Sequence, residues 1–100
     1  MNAAGDLKGT FSTEAEQQLL GAILCVNERY HDVASFVRPK HFFEPTHADI
    51  WKVMAGRIEK DHLADAVMLK ADLASHEGLA KLGGTGYLAR LAGASIGGSS

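Results

Sequence analysis

Apolar residues recur at three- and four-residue intervals in several separate stretches of the chain, and that period predicts helices. The densest stretch, Phe42–Met54, holds half of the phenylalanines and the only tryptophan. Within it and just beyond, Ile50, Trp51, Val53, Met54 and Ile58 cover a face too broad for a helix lying on a surface. This is expected to be the central helix of a small core, touching several other elements. Pro45 restricts the entering chain, and Thr46 with Asp49 three residues on fits the pattern that caps a first turn. The helix is expected from Thr46 to about Lys60, with Lys52 and Lys60 toward its end, as the helix macrodipole favours.

The flanking segments follow the same period. Thr13 is expected to open a helix, with Glu16 completing a capping box. Ala15, Leu19, Ala22, Ile23 and Val26 form its stripe, thickened by Leu20 and Leu24. Gly21 sits inside at a cost of about 1 kcal/mol relative to Ala, which is consistent either with the close approach of another helix or with a glycine that is merely tolerated. Asn27 is expected to cap a second helix presenting Tyr30, Val33, Ala34 and Val37, which Arg38-Pro39 ends because the residue before proline leaves the helical region. Pro39–Phe43 reads as a turn, and Asp61–Ala64 as a connection. Asp65 is expected to cap a fourth helix carrying Val67, Leu69 and Leu73 inward, with Gly78 as a terminator beyond it. A loop at Gly83–Gly86 leads to a short helical piece, Tyr87–Leu91.

No run alternates apolar and polar residues for long, and no hairpin dipeptide separates two such runs. The fold class expected is all-α, a compact bundle of about five short helices, orthogonal rather than coiled-coil. Residues 1–12 read as a flexible leader, 13–92 as the helical domain, and 93–100 as a Gly/Ser-rich linker or a cut end. The core expected is Leu20, Ile23, Leu24, Phe36, Phe42, Ile50, Trp51, Met54, Leu69, Leu73 and Leu88.

Composition narrows the class. One hundred residues suit one domain able to bury a core without disulfides or metal. A hydrophobic fraction of 46% with 22% charged residues is that of an ordinary globular protein. The net charge of −2 disfavours nucleic-acid binding through charge alone, because such footprints are basic. Cys25 is the only cysteine, which makes a disulfide framework impossible and a reducing cytoplasmic setting the default. The first residues lack the basic region and apolar run of a signal peptide, and no stretch has the length of a membrane span.

Three features imitate chemistry. Gly93-Ala94-Ser95-Ile96-Gly97 matches the G-x-S-x-G pattern of a nucleophile elbow, but that device needs a preceding strand and downstream acid and histidine partners. Gly83-Gly84-Thr85-Gly86 resembles a phosphate cradle, but no Lys-Ser or Lys-Thr follows; a turn with positive-φ positions is the plainer reading. The histidines, His31, His41, His47, His62 and His76, lie in different segments without metal-ligand spacing. Only His41 and His47, flanking the central helix start, stand out. No catalytic, cofactor-binding or metal-binding residue is assigned, and the residues alone describe a small helical interaction module.

Several segments, in order, resemble the N-terminal domain of the DnaB-type replicative DNA helicase. The first is Glu14–Leu24, with its internal Leu20-Gly21, and the second is Pro39–Phe43 followed by His47 and Ile50–Met54. The third is Asp65 with Leu69 and Leu73, then Leu82-Gly83-Gly84 and Tyr87–Leu91. Together they cover about residues 13–91. The chain departs from the family at Asp61–Ala64, where a Gly-x-Pro-type turn is common. It stops at Ser100, where the family continues into a helical hairpin and a RecA-like ATPase domain. The resemblance implies a scaffold role in the collar of a hexamer, with other helicase copies, primase and helicase loader as partners. It also implies ATP and Mg, together with DNA unwinding, in a part absent from this chain, and no membrane partner. Alternatives are the helicase-binding domain of a bacterial primase, a small helical DNA-binding module, and a serine hydrolase built on Ser95.

Overall fold

A computed structural model describes residues 12–97, with side chains to residue 94. The order is α1 (Thr13–Cys25), α2 (Arg29–Val33), a 3-10 turn at Pro39–His41, α3 (Pro45–Glu59), α4 (Ala66–Asp72), α5 (Glu77–Lys81) and α6 (Gly86–Gly97). There is no strand among the described residues. The leader expected over 1–12 lies outside the description except for Ser12.

Two packing relations organise the helices. The α1–α6 pairing is the most extensive, and Gly21 is buried in α1. Helix α3 is the hub expected of the central stretch, touching α1, α4, α5 and the 3-10 turn. Its Trp51 is buried between Tyr30 and Phe42, with ring centroids 5.3 and 5.8 Å away. All core residues expected from phasing are buried except Phe36. Tyr30, Val37, Ala64, Leu79 and Leu91 join them.

Phe36 is 62% exposed and is a correction. Helix α2 has only five residues and ends at Val33, so Phe36 lies in the following turn, outside any helical stripe. Val67 is 67% exposed, because α4 turns Leu69 inward and is too short to bury a second face.

Several helix ends also differ. Ser12, not a Thr13–Glu16 box, caps α1, accepting the Ala15 N–H at 3.0 Å. Helix α3 begins at Pro45, where a missing N–H costs nothing; Glu44 caps it through the Thr46 N–H, and Thr46 itself is buried. Asp65 caps α4 as expected, accepting from the Met68 N–H. Asn27 does not cap α2, whose N-cap position is Glu28. The Asn27 amide donates to the carbonyls of Ile23 and Ala64 and accepts from the Ala64 N–H, tying the end of α1 to the α3–α4 connection.

Gly78 lies inside α5 instead of ending α4; a Cβ there would collide with Thr46 Oγ1, so glycine lets α5 close onto the start of α3. Helix α5 is capped by His76, whose Nδ1 accepts the Leu79 N–H. The segment from Gly93, expected to be linker, continues α6 as helix through Gly97.

Two stops share one geometry. After α3, the Asp61 and His62 N–H groups return to the carbonyls of Ile58 and Arg57, with Asp61 at φ +62°. After α5, Gly83 and Gly84 return to Ala80 and Leu79, with Gly83 at φ +120° and Gly84 at φ +74°. Both pairings are those of the Schellman motif, which satisfies the last helical carbonyls and favours glycine.

Two measurements check this core. Trp51→Ala removes the ring between Tyr30 and Phe42, and urea unfolding is expected to show a loss of about 3–5 kcal/mol. The Tyr30 hydroxyl is pushed up to about 12, by burial first and then by its hydrogen bond to Glu59 and that carboxylate's charge. The neutral phenol is therefore favoured in the folded state. Its stabilisation is complete below the ordinary tyrosine range near 10 and is lost as pH rises toward about 12. Tyr30→Phe is expected to remove that alkaline decline, read from unfolding curves at increasing pH.

Candidate functional site: a buried polar network beneath an apolar-studded surface

The least expected feature lies inside. Glu16 of α1 and His47 of α3 are both fully buried, with His47 Nδ1 2.9 Å from Glu16 Oε1. The other ring nitrogen, Nε2, is 2.7 Å from the Tyr87 hydroxyl of α6, and the two rings stack at 5.9 Å. Gln17 Nε2 donates to the same hydroxyl at 3.0 Å. An ionised carboxylate only accepts, so Nδ1 carries hydrogen; in the neutral ring Nε2 then accepts from the tyrosine. Glu16 also accepts the Phe43 N–H at 2.6 Å and the Glu44 N–H at 3.3 Å. One carboxylate thus joins α1, α3 and the segment between the 3-10 turn and α3.

Phasing contained a signal for this network. Glu16 is in step with Leu20, Ile23 and Leu24, and His47 with Ile50, Trp51, Met54 and Ile58. A polar residue in register with a buried stripe is itself expected to be buried; the capping pattern at Thr13–Glu16 obscured it.

The other histidines serve the backbone or face solvent. His41 is buried, and its Nδ1 accepts the Arg38 N–H, closing the 3-10 turn. At His76 the cap on α5 uses Nδ1 as acceptor, which leaves Nε2–H to meet the Asp49 carboxylate at 2.7 Å. His31 and His62 are exposed. Among the described residues, no group of three or more His, Cys, Asp or Glu side chains is placed to hold a metal ion.

The imitations of chemistry resolve into backbone geometry. The amides of Gly83 and Gly84 are bonded to Ala80 and Leu79, so these two N–H groups are not available to cradle a phosphate. Gly93–Gly97 is continuous helix, not a turn from strand to helix, and the Ser95 side chain lies outside the description. On the surface, Arg57 of α3 donates to Asp72 of α4, Nε to Oδ2 at 2.6 Å. That hydrogen bond raises the Arg57 guanidinium and holds the Asp72 carboxyl below the usual range.

Large apolar side chains also stand on the surface. Val26, Phe36, Phe43, Leu63, Val67 and Met68 are all exposed. The aromatic and methionine side chains among them, Phe36, Phe43 and Met68, are of types enriched at protein interfaces. Among the described residues no helix is long and apolar enough to cross a membrane.

Comparison with known proteins agrees with this architecture. A family model described as the DnaB-like helicase N terminal domain matches residues 9–99. The replicative DNA helicase DnaB of Rickettsia conorii is 41% identical over 80 residues, which are 80% of this chain and 16% of that protein. The replicative DNA helicase DnaB of Geobacillus stearothermophilus is 32% identical over 83 residues, covering 83% of this chain and 18% of the relative. The crystal structure of the N-terminal domain of DnaB helicase from Mycobacterium tuberculosis aligns with a TM-score of 0.74 at 30% identity, covering 83% of this chain and 60% of that one. The chain spans about one sixth of the length of these curated relatives.

Glu16→Gln tests the network. It keeps the shape but turns an NH2 group toward donors, and a buried unsatisfied group costs about 1–3 kcal/mol. Urea unfolding is expected to show that loss, with the helical circular dichroism unchanged.

Proposed function

The chain belongs to the DnaB-like helicase N-terminal domain family, and from that premise we propose that it is a protein-interaction and assembly domain of a replicative DNA helicase acting in the primosome. Its partners in this reading are other copies of the helicase in a hexamer, the primase and the helicase loader. ATP and Mg, the unwinding activity and the contact with DNA belong to the motor part of the parent, and this domain catalyses no reaction. The cytoplasm is the setting.

The observation that carries the reading is the contrast between interior and surface. The polar groups that resemble chemistry are committed to the fold's own hydrogen bonds, whereas large apolar side chains stand exposed on several elements. A catalytic site needs its polar groups turned toward a substrate cavity, and an interaction domain needs anchors facing outward. No comparable observation favours a primase domain, a DNA-binding module or a hydrolase.

The test is made in the parent helicase. Removing the domain is expected to abolish stimulation by primase and weaken hexamer assembly while the motor part still hydrolyses ATP. The isolated chain is expected to hydrolyse none. Priming and assembly unaffected by the deletion, or ATP hydrolysis by the chain that is lost on substituting Gly83 or Gly84, would overturn the reading.

A further inference from the structure

Arg90 of α6 is a surface cation with a fixed seat and no counter-ion. Its Nη2 donates to the Leu82 carbonyl at 2.8 Å, and its Cζ lies 5.7 Å from the centre of the Tyr87 ring. Gly83 completes the seat, because a Cβ there would come within 2.5 Å of Nη2. Among the described residues no carboxylate lies within ion-pair distance of the guanidinium. A hydrogen bond to a neutral carbonyl leaves its charge in full.

Beside it, α1 and α6 enclose a cavity of about 210 Å³, lined by Gln17, Tyr87, Arg90, Leu91 and Ala94. Arg90 is the one charged residue among them. Of the acids on α1, Glu16 is turned inward to His47, and Glu14 neither lines the cavity nor pairs with Arg90. Helix α6 contains no acid. The floor is held from beneath: the Tyr87 hydroxyl is bonded to Gln17 and to the buried His47, whose other nitrogen meets Glu16.

Size and charge select the occupant. Sites for small organic ligands run to roughly 300–1,000 Å³, and this cavity is smaller, suited to one side chain. A guanidinium offers a planar fork that matches a carboxylate, and Leu91 and Ala94 offer apolar surface to the methylenes that carry it. A phosphate dianion would meet a single positive charge. The Gly83 and Gly84 amides, bonded to Ala80 and Leu79, could not add to it.

We infer that the Arg90 cavity is a docking site for a single glutamate side chain on a segment of another polypeptide. The carboxylate meets the guanidinium beside the Gln17 amide, and the methylenes lie against Leu91 and Ala94. An arginine already held by Leu82, Tyr87 and Gly83 loses little freedom when the carboxylate arrives, so less of the binding energy is spent on ordering it. The assignment rests on the interaction-domain reading and names its partner chemistry.

The probe is a short synthetic peptide with blocked ends and one glutamate between two leucines, titrated into the isotopically labelled chain by NMR. Saturable shifts are expected at Gln17, Tyr87, Leu91 and the Arg90 side-chain N–H groups, weakening as salt is raised. The same peptide with glutamine or lysine in place of glutamate is expected to bind about tenfold more weakly or worse, a comparison that needs no variant of the chain. Arg90→Gln is expected to cause a similar loss with the helical circular dichroism unchanged. Arg90→Lys, which keeps the charge without the fork, is expected to cause a smaller one. Lys70→Gln on α4 is expected to bind as the unaltered chain does. Equal binding of the three peptides, no saturable binding, or binding indifferent to Arg90 would overturn the assignment. So would inorganic phosphate shifting the same resonances at lower concentration, which would make the occupant a phosphate group. The interaction-domain reading fails separately, through the domain deletion in the parent, where no peptide is involved.

Discussion

A carboxylate cut off from water must find its donors within the protein, and Glu16 is such a group. Left unmatched, it would cost far more than a single hydrogen bond returns. Helix α1 brings it in, α3 supplies His47, and the Phe43–Glu44 segment supplies two backbone N–H groups. Tyr87 and Gln17 then complete the second side of the imidazole. These partners are distant in sequence, so the network is satisfied only when α1, α3 and α6 are assembled together. A packing error among the helices would strand the charge, which gives the buried pair a role in specifying the arrangement as well as in holding it.

The same network reaches the surface. Its donors include the backbone of Phe43, so the backbone that carries the exposed ring is held from below by a buried carboxylate. Packing of Phe42 on Trp51 fixes the adjoining residue in the opposite direction. Interior order thereby becomes surface order. In a domain whose proposed work is recognition, rigidity of an anchor matters as much as its hydrophobicity, because less freedom remains to be lost when a partner arrives.

Helix ends account for much of the remaining architecture. Two Schellman stops, one with Asp61 and one with Gly83-Gly84, turn the chain sharply enough for short helices to pack around α3. At the α4–α5 junction His76 does two jobs, capping α5 with one nitrogen and holding Asp49 of α3 with the other. Gly78 supplies the missing side chain that lets α5 come close. Residue types that elsewhere mark chemistry, histidine and clustered glycine, are used here to end helices and join them.

The sequence by itself determined the all-helical class, the central helix and nearly the whole core, because those follow from local period. Leu20, Ile23, Ile50, Trp51, Met54 and Leu88 could be placed by spacing alone, and Asp65 as a cap by its place just before the apolar run of α4. The resemblance in ordered segments likewise needed no coordinates. Tertiary structure decided what depends on partners far along the chain. Glu16 and His47 are 31 residues apart, and Gln17 and Tyr87 are 70 apart. No local pattern says which remote donor will arrive, so Glu16 looked like a cap and His47 like a residue merely near a helix start. Phe36, Phe43 and Val67 are as hydrophobic as the core residues, and only the assembled helices leave them outside. Hydrophobicity and period are properties of a segment, whereas burial is a property of everything packed against it.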